Sequence, residues 1–143
     1  MNPDARRRLE DLLDREIELA HVLRATLADE KTVLTGDSPE AVEKNAAEKV
    51  RVLETIENLE VERRALCASP ASPGIAATVV ERWRKLMELM AGCRTANEVN
   101  GHIIHVRQHQ IRQLMDIVRG GPSITYDPHG KTFAKALRAI ARA

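Results

Sequence analysis

Aromatic side chains are almost missing from this sequence: its 143 residues include one Trp, one Tyr and one Phe. Strands rely on aromatic and β-branched residues to pack a pleated face, so this scarcity argues against sheets. Cysteine is nearly as rare. Two thiols, Cys67 and Cys93, are too few to staple a chain of this length, and at helical spacing each reads as a small core residue rather than a reactive group. Long apolar runs are missing too. No window approaches the roughly 18 consecutive apolar residues that cross a bilayer, and the Arg-rich opening, Met1 to Glu10, has no apolar stretch behind it as a secretory leader would. From these absences we expect a cytoplasmic chain with no disulfide framework and no membrane insertion.

What is present is Leu, Ala, Val, Glu and Arg, with 43% apolar residues, enough for one core of packed helices. Leu9, Leu12, Leu13, Leu19, Leu23 and Leu27 recur at three- and four-residue steps with charges between them. That period predicts an amphipathic helix from Asp4 to about Leu34, stopped at Gly36. Ser38 as N-cap and Pro39 at the first helical position open a second helix, which carries Val42, Ala46, Val50, Leu53, Ile56 and Leu59 to about Ala68. The short connection makes the pair antiparallel, with Leu23 near Val50 and Leu27 near Ala46. The run Ser69-Pro70-Ala71-Ser72-Pro73-Gly74 ends the second helix.

A third helix is expected from about Ile75 to Val118, with Val79, Val80, Trp83, Leu86, Met87, Met90, Cys93, Ile104, Ile111, Leu114 and Val118 on one stripe; Gly92 and Gly101 are places where it could bend. The expected fold is therefore an all-α bundle, a helical hairpin plus a longer third helix, occupying residues 1–119. Residues 120–143 read as a loop followed by a short basic tail helix, Lys131 to Ala143, with Phe133, Leu137 and Ile140 on one face. Because the third helix outruns its partners, part of its apolar face needs a cover, either a second copy of the chain or a partner's helix.

The overall charge of +1 conceals an asymmetry. Residues 1–68 hold 11 basic and 16 acidic groups, residues 69–143 hold 11 and 5, so the halves carry −5 and +6. The basic half offers only the separated Trp83, Tyr126 and Phe133 and no stacking platform, so nucleic acid is not the expected partner.

Asn97, Asn100 and Gly101 stand out because the two amides continue the Met90, Cys93, Ile104 stripe. Buried amides need partners. Either they hydrogen-bond across a helix interface and set register, or they anchor a partner helix that Gly101 lets approach closely.

The string Asn97-Glu98-Val99-Asn100-Gly101-His102-Ile103-Ile104 is preceded by Trp83, Leu86 and Cys93. Leu114, Arg119-Gly120, Thr125-Tyr126-Asp127 and Gly130 follow it. Together these resemble the signature of the flagellar FlgN family, and Leu12-Leu13 with Glu16, Leu53, Leu59 and Arg63 agree more loosely. The resemblance implies a cytoplasmic export chaperone for hook-associated proteins, which join the flagellar hook to its filament. Such a chaperone binds their terminal helical segments, prevents early assembly and delivers them to the export gate. It further implies subunit binding toward the C-terminal part, here Ile104, Ile111, Leu114 and Val118, and an export-gate contact at Tyr126; Asn97, Asn100 and Gly101 join the candidate binding residues on their own chemistry. Phe133 receives no role from the family; independently, Phe133, Leu137 and Ile140 are expected to dock on a partner or on the chain's own seam.

His102, His105 and His109 share a helix face, but no Cys joins them and Asp116 is the only acid within two turns beyond, so a solvated polar face is expected rather than a metal site. Glu16 lies on the Leu13 to Leu23 stripe and reads as a packed acid paired with Lys49, Arg63 or another chain. No Ser, His and Asp set, Gly-rich phosphate loop or paired metal motif appears, so neither an enzyme nor a cofactor is expected. The alternative is a structural coiled-coil protein whose seam serves self-assembly, with a homodimer as the simplest form.

Overall fold

The computed structural model describes residues 2–120, and three helices take up most of that span: α1 (Pro3–Leu34), α2 (Pro39–Ala68) and α3 (Ala77–Val118). No strand occurs among the described residues. The loop and tail helix expected over 120–143 lie outside them from residue 121 on.

The helix ends follow local chemistry. Asn2 caps α1, its Oδ1 accepting from the N–H groups of Asp4 at 3.0 Å and Ala5 at 3.3 Å with Pro3 at the first position. Ser38 does the same for α2, accepting from the Ala41 N–H at 3.2 Å. The connection to α3 turns at Gly74, whose φ of 70° is a conformation that side chains disfavour. α3 then opens at Ala77 with no side-chain cap.

α1 is the central helix, with twelve buried residues against three in each of its neighbours. α2 runs antiparallel to it, as Arg63 on Glu16 and Asn45 on Thr26 show. α3 runs parallel, as Arg82 on Asp14 and Asn100 on Leu27 show. Both pack on α1, yet no Cα of α2 comes within 8 Å of one in α3. The flanking helices are therefore held apart, with α1 as the floor between them.

Two apolar clusters fill the contacts. Leu9, Leu13, Ile17, Ala20 and Leu86 form one, joined by Leu66, Val79 and Leu89; Leu23, Leu27, Val52 and Cys93 form the other, joined by Ile56 and Ala96, with Met90 touching both. The leucines expected on the α1 seam are buried, apart from half-buried Leu19.

The inner face of α2 differs from its apolar period. Asn45, Val52 and Leu59 are its buried residues, while Val50 is 52% exposed and Leu53 41%. Leu23 and Leu27 meet Val52 instead of the expected Val50 and Ala46. The cause lies on α1, whose buried stripe includes Glu16, Thr26 and Glu30. An unpaired carboxylate in a packed interface costs about 3–5 kcal/mol, more than half-burying a Val or Leu gains. α2 is accordingly turned to present Asn45, Lys49 and Arg63. The stripe expected on α3 splits as well: Leu86 and Cys93 are buried, whereas Val80, Trp83 and Met87 stand on an exposed flank.

Cys93 fits the core reading, its Sγ 3.5 Å from the Ala20 carbonyl and its thiol pushed up by burial, so that it stays protonated. Cys67, near the end of α2, is exposed instead.

Candidate functional site

Three helices meet in a polar cluster between α2 and α3. Lys49 Nζ donates to both Glu30 oxygens, at 3.1 and 3.0 Å, and to Asn97 Oδ1 at 2.8 Å. Asn100 Nδ2 donates to Glu30 Oε1 and to the Leu27 carbonyl, each at 2.9 Å. Nearby, Asn45 Nδ2 reaches the Thr26 carbonyl at 3.1 Å. Among the described residues no buried side-chain polar atom lacks a partner, and Asn97 and Asn100 are both engaged within the chain. Asn100 is 1% exposed and fixes the height of α3 on α1; Asn97, on the surface, closes a rung to α2. Asn100→Ala leaves the Leu27 carbonyl and one Glu30 oxygen short of a donor, and urea unfolding is expected to show a loss of about 2–3 kcal/mol.

A second charged rung lies nearer the other end. Arg63 Nε donates to Glu16 Oε2 at 2.8 Å, and its guanidinium sits 4.7 Å from the centre of the Trp83 ring. Burial raises the Glu16 carboxyl above its ordinary value, while the hydrogen bond and charge of Arg63 pull it down. This ties α2 to α1 and α3 at once, in line with the helix-packed acid expected from the sequence.

Beyond these rungs α3 outruns the bundle. Arg107 donates to the Gly36 carbonyl at 3.4 Å, where the α1–α2 turn ends. From 108 to 118 no hydrogen bond or ion pair joins α3 to another described helix, a stretch of about 16 Å at roughly 1.5 Å per residue. The face that buries Cys93 and Asn100 under α1 continues as Ile104 and, within this stretch, as Ile111, Leu114 and Val118. Ile104, Ile111 and Val118 are 37%, 47% and 61% exposed, and Leu114 is half-buried. A seam that lies against α1 in the bundle runs on with no other described helix against it.

The FlgN family model, described as FlgN protein, matches residues 1–133. The chain belongs to the FlgN family. No curated protein and no solved structure registers a match with it. FlgN membership supports a role in flagellar export as a chaperone and implies binding of hook-associated proteins in general. The family is not known for enzymatic activity. Its span takes in the whole α3 overhang and extends to Phe133, so Tyr126 falls inside it and Leu137 and Ile140 outside.

In this FlgN chain α3 passes through Gly92 and Gly101 as one uninterrupted helix, and a Cβ at Gly101 would meet nothing within 4 Å. Gly101 is thus not required by any close approach among the described residues. His102, His105 and His109 are exposed, and no group of three or more His, Cys, Asp or Glu among the described residues is placed to hold a metal. No helix among them is long and apolar enough to cross a membrane.

Sequence reasoning missed the space between α2 and α3. An open cavity of about 370 Å³ is lined by Leu27, Lys49, Leu53, Met90, Cys93 and Asn97 among others. A second, of about 340 Å³, lies by Leu13, Arg63, Cys67, Ile75 and Trp83. The signal was available in the exposed apolar residues beside the polar ones on α2, but nothing in the spacing says that α2 and α3 stay apart.

Proposed function

We propose that this FlgN-family chain is a cytoplasmic export chaperone whose capture face is the C-terminal half of α3. It takes terminal helical segments of hook-associated proteins, keeps them from assembling early and passes them to the export gate. The observation that carries this reading is the overhang: Ile104 and, past Arg107, Ile111, Leu114 and Val118 continue the buried seam with no other described helix over it. Asn97 and Asn100 anchor the base of this face through the polar cluster, and the open space at Gly101 leaves room for a partner backbone.

Physical magnitudes support reversible capture. Covering four aliphatic side chains that are about half exposed contributes roughly half of the 1.5–3 kcal/mol that each would give from full exposure, before the cost of ordering the captured segment. So modest a gain suits a complex that releases its cargo readily. Arg107, Arg112 and Arg119 outnumber Asp116 along the overhang and favour an acidic helix.

Self-assembly through the same seam is the competing account. Antiparallel pairing of two overhangs would set these arginines against each other, which disfavours it. The deciding experiment is calorimetry with size exclusion on the purified chain and terminal segments of its own organism's hook-associated proteins. A micromolar or tighter complex with a strongly negative heat-capacity change supports capture. No binding, together with a concentration-independent oligomer, supports self-assembly.

Two substitutions refine the assignment. Gly101→Ala fits the space in the free chain and is expected to raise its stability by up to about 1 kcal/mol; weaker cargo binding in the same variant would place a partner backbone against this position. Tyr126, outside the described residues, is the proposed gate contact. Tyr126→Ala is expected to leave cargo affinity unchanged and to reduce delivery in an export assay. Lost cargo affinity would instead assign Tyr126 to capture.

A further inference from the structure

At the end of the bundle away from the overhang, the start of α1, the end of α2 and the start of α3 border the open cavity of about 340 Å³. Leu9, Leu13 and Val79 are its aliphatic walls, Trp83 is an aromatic one, and Pro73 and Ile75 reach it from the linker between α2 and α3. Trp83 precedes Arg107 by 24 residues of α3, about 36 Å of helix at roughly 1.5 Å per residue. We infer that this cavity receives one aromatic side chain from an uncharged stretch of a partner polypeptide, a backbone carbonyl of which accepts from Arg63. This rests on the cavity alone and not on the capture face proposed for the overhang.

Size and lining are the first argument. An apolar cavity of about 150 Å³ already holds benzene, so the volume here admits a ring together with its linker. The walls are preformed: Pro73 is among the most deeply buried side chains, and Trp83 is held by the guanidinium of Arg63, 4.7 Å from the centre of its ring. Yet Trp83 is 40% exposed and Ile75 86%, and apolar walls left facing water mark an interaction site rather than a finished core. An indole and a guanidinium in one cavity both favour an aromatic ring over an aliphatic chain.

Charge is the second. Arg63 is the only charged residue among the described ones that line the cavity, and Glu16 already neutralises it. The charges next to the lining residues in sequence are committed as well: Arg8 to Glu62 at 2.7 Å, Arg64 to Glu60 at 2.5 Å, and Glu10 to Thr78. A carboxylate entering here loses its water and meets no free cation, so the occupant is uncharged. Arg63 spends Nε on Glu16, and among the described residues no group accepts from its Nη1 or Nη2. Those donors suit a neutral carbonyl.

The open side is the third. Ile75 lines the cavity and is still almost fully exposed, so it stands at the mouth. A chain that crosses the mouth covers Ile75, whereas a free aromatic molecule inside the cavity leaves it bare. The occupant is therefore a residue of a polypeptide.

Trp83 is the chain's only tryptophan, so its fluorescence reports the cavity directly. The test titrates the full chain with phenylacetamide, with phenylacetate and with a capped pentapeptide holding one phenylalanine among four alanines. Phenylacetamide is expected to shift the Trp83 emission saturably, with a dissociation constant on the order of 1–10 mM. The peptide is expected to bind at least about threefold more tightly through Ile75, and phenylacetate at least about tenfold more weakly than phenylacetamide. Cys67→Phe fills the cavity from an exposed position, and Ile75→Asp places a charge at the mouth. Each is expected to weaken the peptide at least about tenfold, with circular dichroism checking the helices. Ile111→Glu is expected to leave peptide binding unchanged, which separates this site from the capture face. No saturable shift overturns the inference, as does peptide binding that survives both cavity substitutions or is lost in Ile111→Glu. Phenylacetate that binds as well as phenylacetamide makes this an anion site, and a peptide no tighter than phenylacetamide makes the occupant a free aromatic molecule; either result also overturns it.

Discussion

Ile111→Glu and Leu114→Glu are each expected to abolish capture of hook-associated segments while leaving the free chain as helical as before. A carboxylate placed on the overhang seam must be desolvated when a partner helix covers it, which turns an anchoring contact into a penalty. Central apolar anchors lose about 2–4 kcal/mol when removed, so the dissociation constant should rise by roughly 30- to 1000-fold. The free chain tolerates the change because Ile111 is 47% exposed and no hydrogen bond or ion pair joins this stretch to another described helix. Calorimetry reads the affinity and far-ultraviolet circular dichroism the helicity. Unchanged affinity in both variants would move capture off the overhang, and the α2–α3 groove would be the next surface to test.

Arg63→Ala should have the largest effect on stability, about 3–5 kcal/mol at neutral pH, because it strands Glu16 in the interface. The Glu16 side chain is 3% exposed and that of Arg63 13%, so solvent screens the pair little. The dependence on pH separates this cause from lost packing. Burial holds the Glu16 carboxyl above its ordinary value, against the pull of Arg63. A carboxyl with a raised folded-state value binds its proton more tightly than in the unfolded chain. The stability it contributes is fully present below the ordinary carboxylate value and is lost as pH rises through the folded value. Removing Arg63 takes away both lowering influences and raises that value further. The deficit of the variant in urea unfolding should therefore shrink as pH falls from about 7 toward about 5. A deficit that stays constant would mean that Arg63 acts mainly through its stacking on Trp83.

Much of the candidate site was legible in spacing. Ile104, Ile111, Leu114 and Val118 fall on one helical face whatever surrounds them, and a third helix longer than its partners must carry part of that face past their ends. Glu16 on a leucine stripe likewise announced a paired acid, and Arg63 was among the partners expected for it. Asn97 and Asn100 were ambiguous, because an amide on an apolar stripe suits a helix interface and a partner contact equally well. In the fold Asn100 belongs to α1 and Asn97 to Lys49, contacts that depend on which residues of three separate helices reach the same height.

The sequence by itself determined the number of helices, the caps of α1 and α2, the helix stops, the α1 seam and the direction in which consecutive helices run. These follow from local rules: the 3.6-residue period, the Asn-Pro and Ser-Pro openings, and turns too short to allow anything but reversal. Only the tertiary structure decided the rotation of α2, the separation of α2 from α3 and the place where α3 loses its cover. Each of these is a balance between elements distant in the chain. Glu16 and Glu30 on α1 demand cations, Lys49 and Arg63 supply them only if α2 gives up burying Val50 and Leu53, and the groove that results is visible in no single helix.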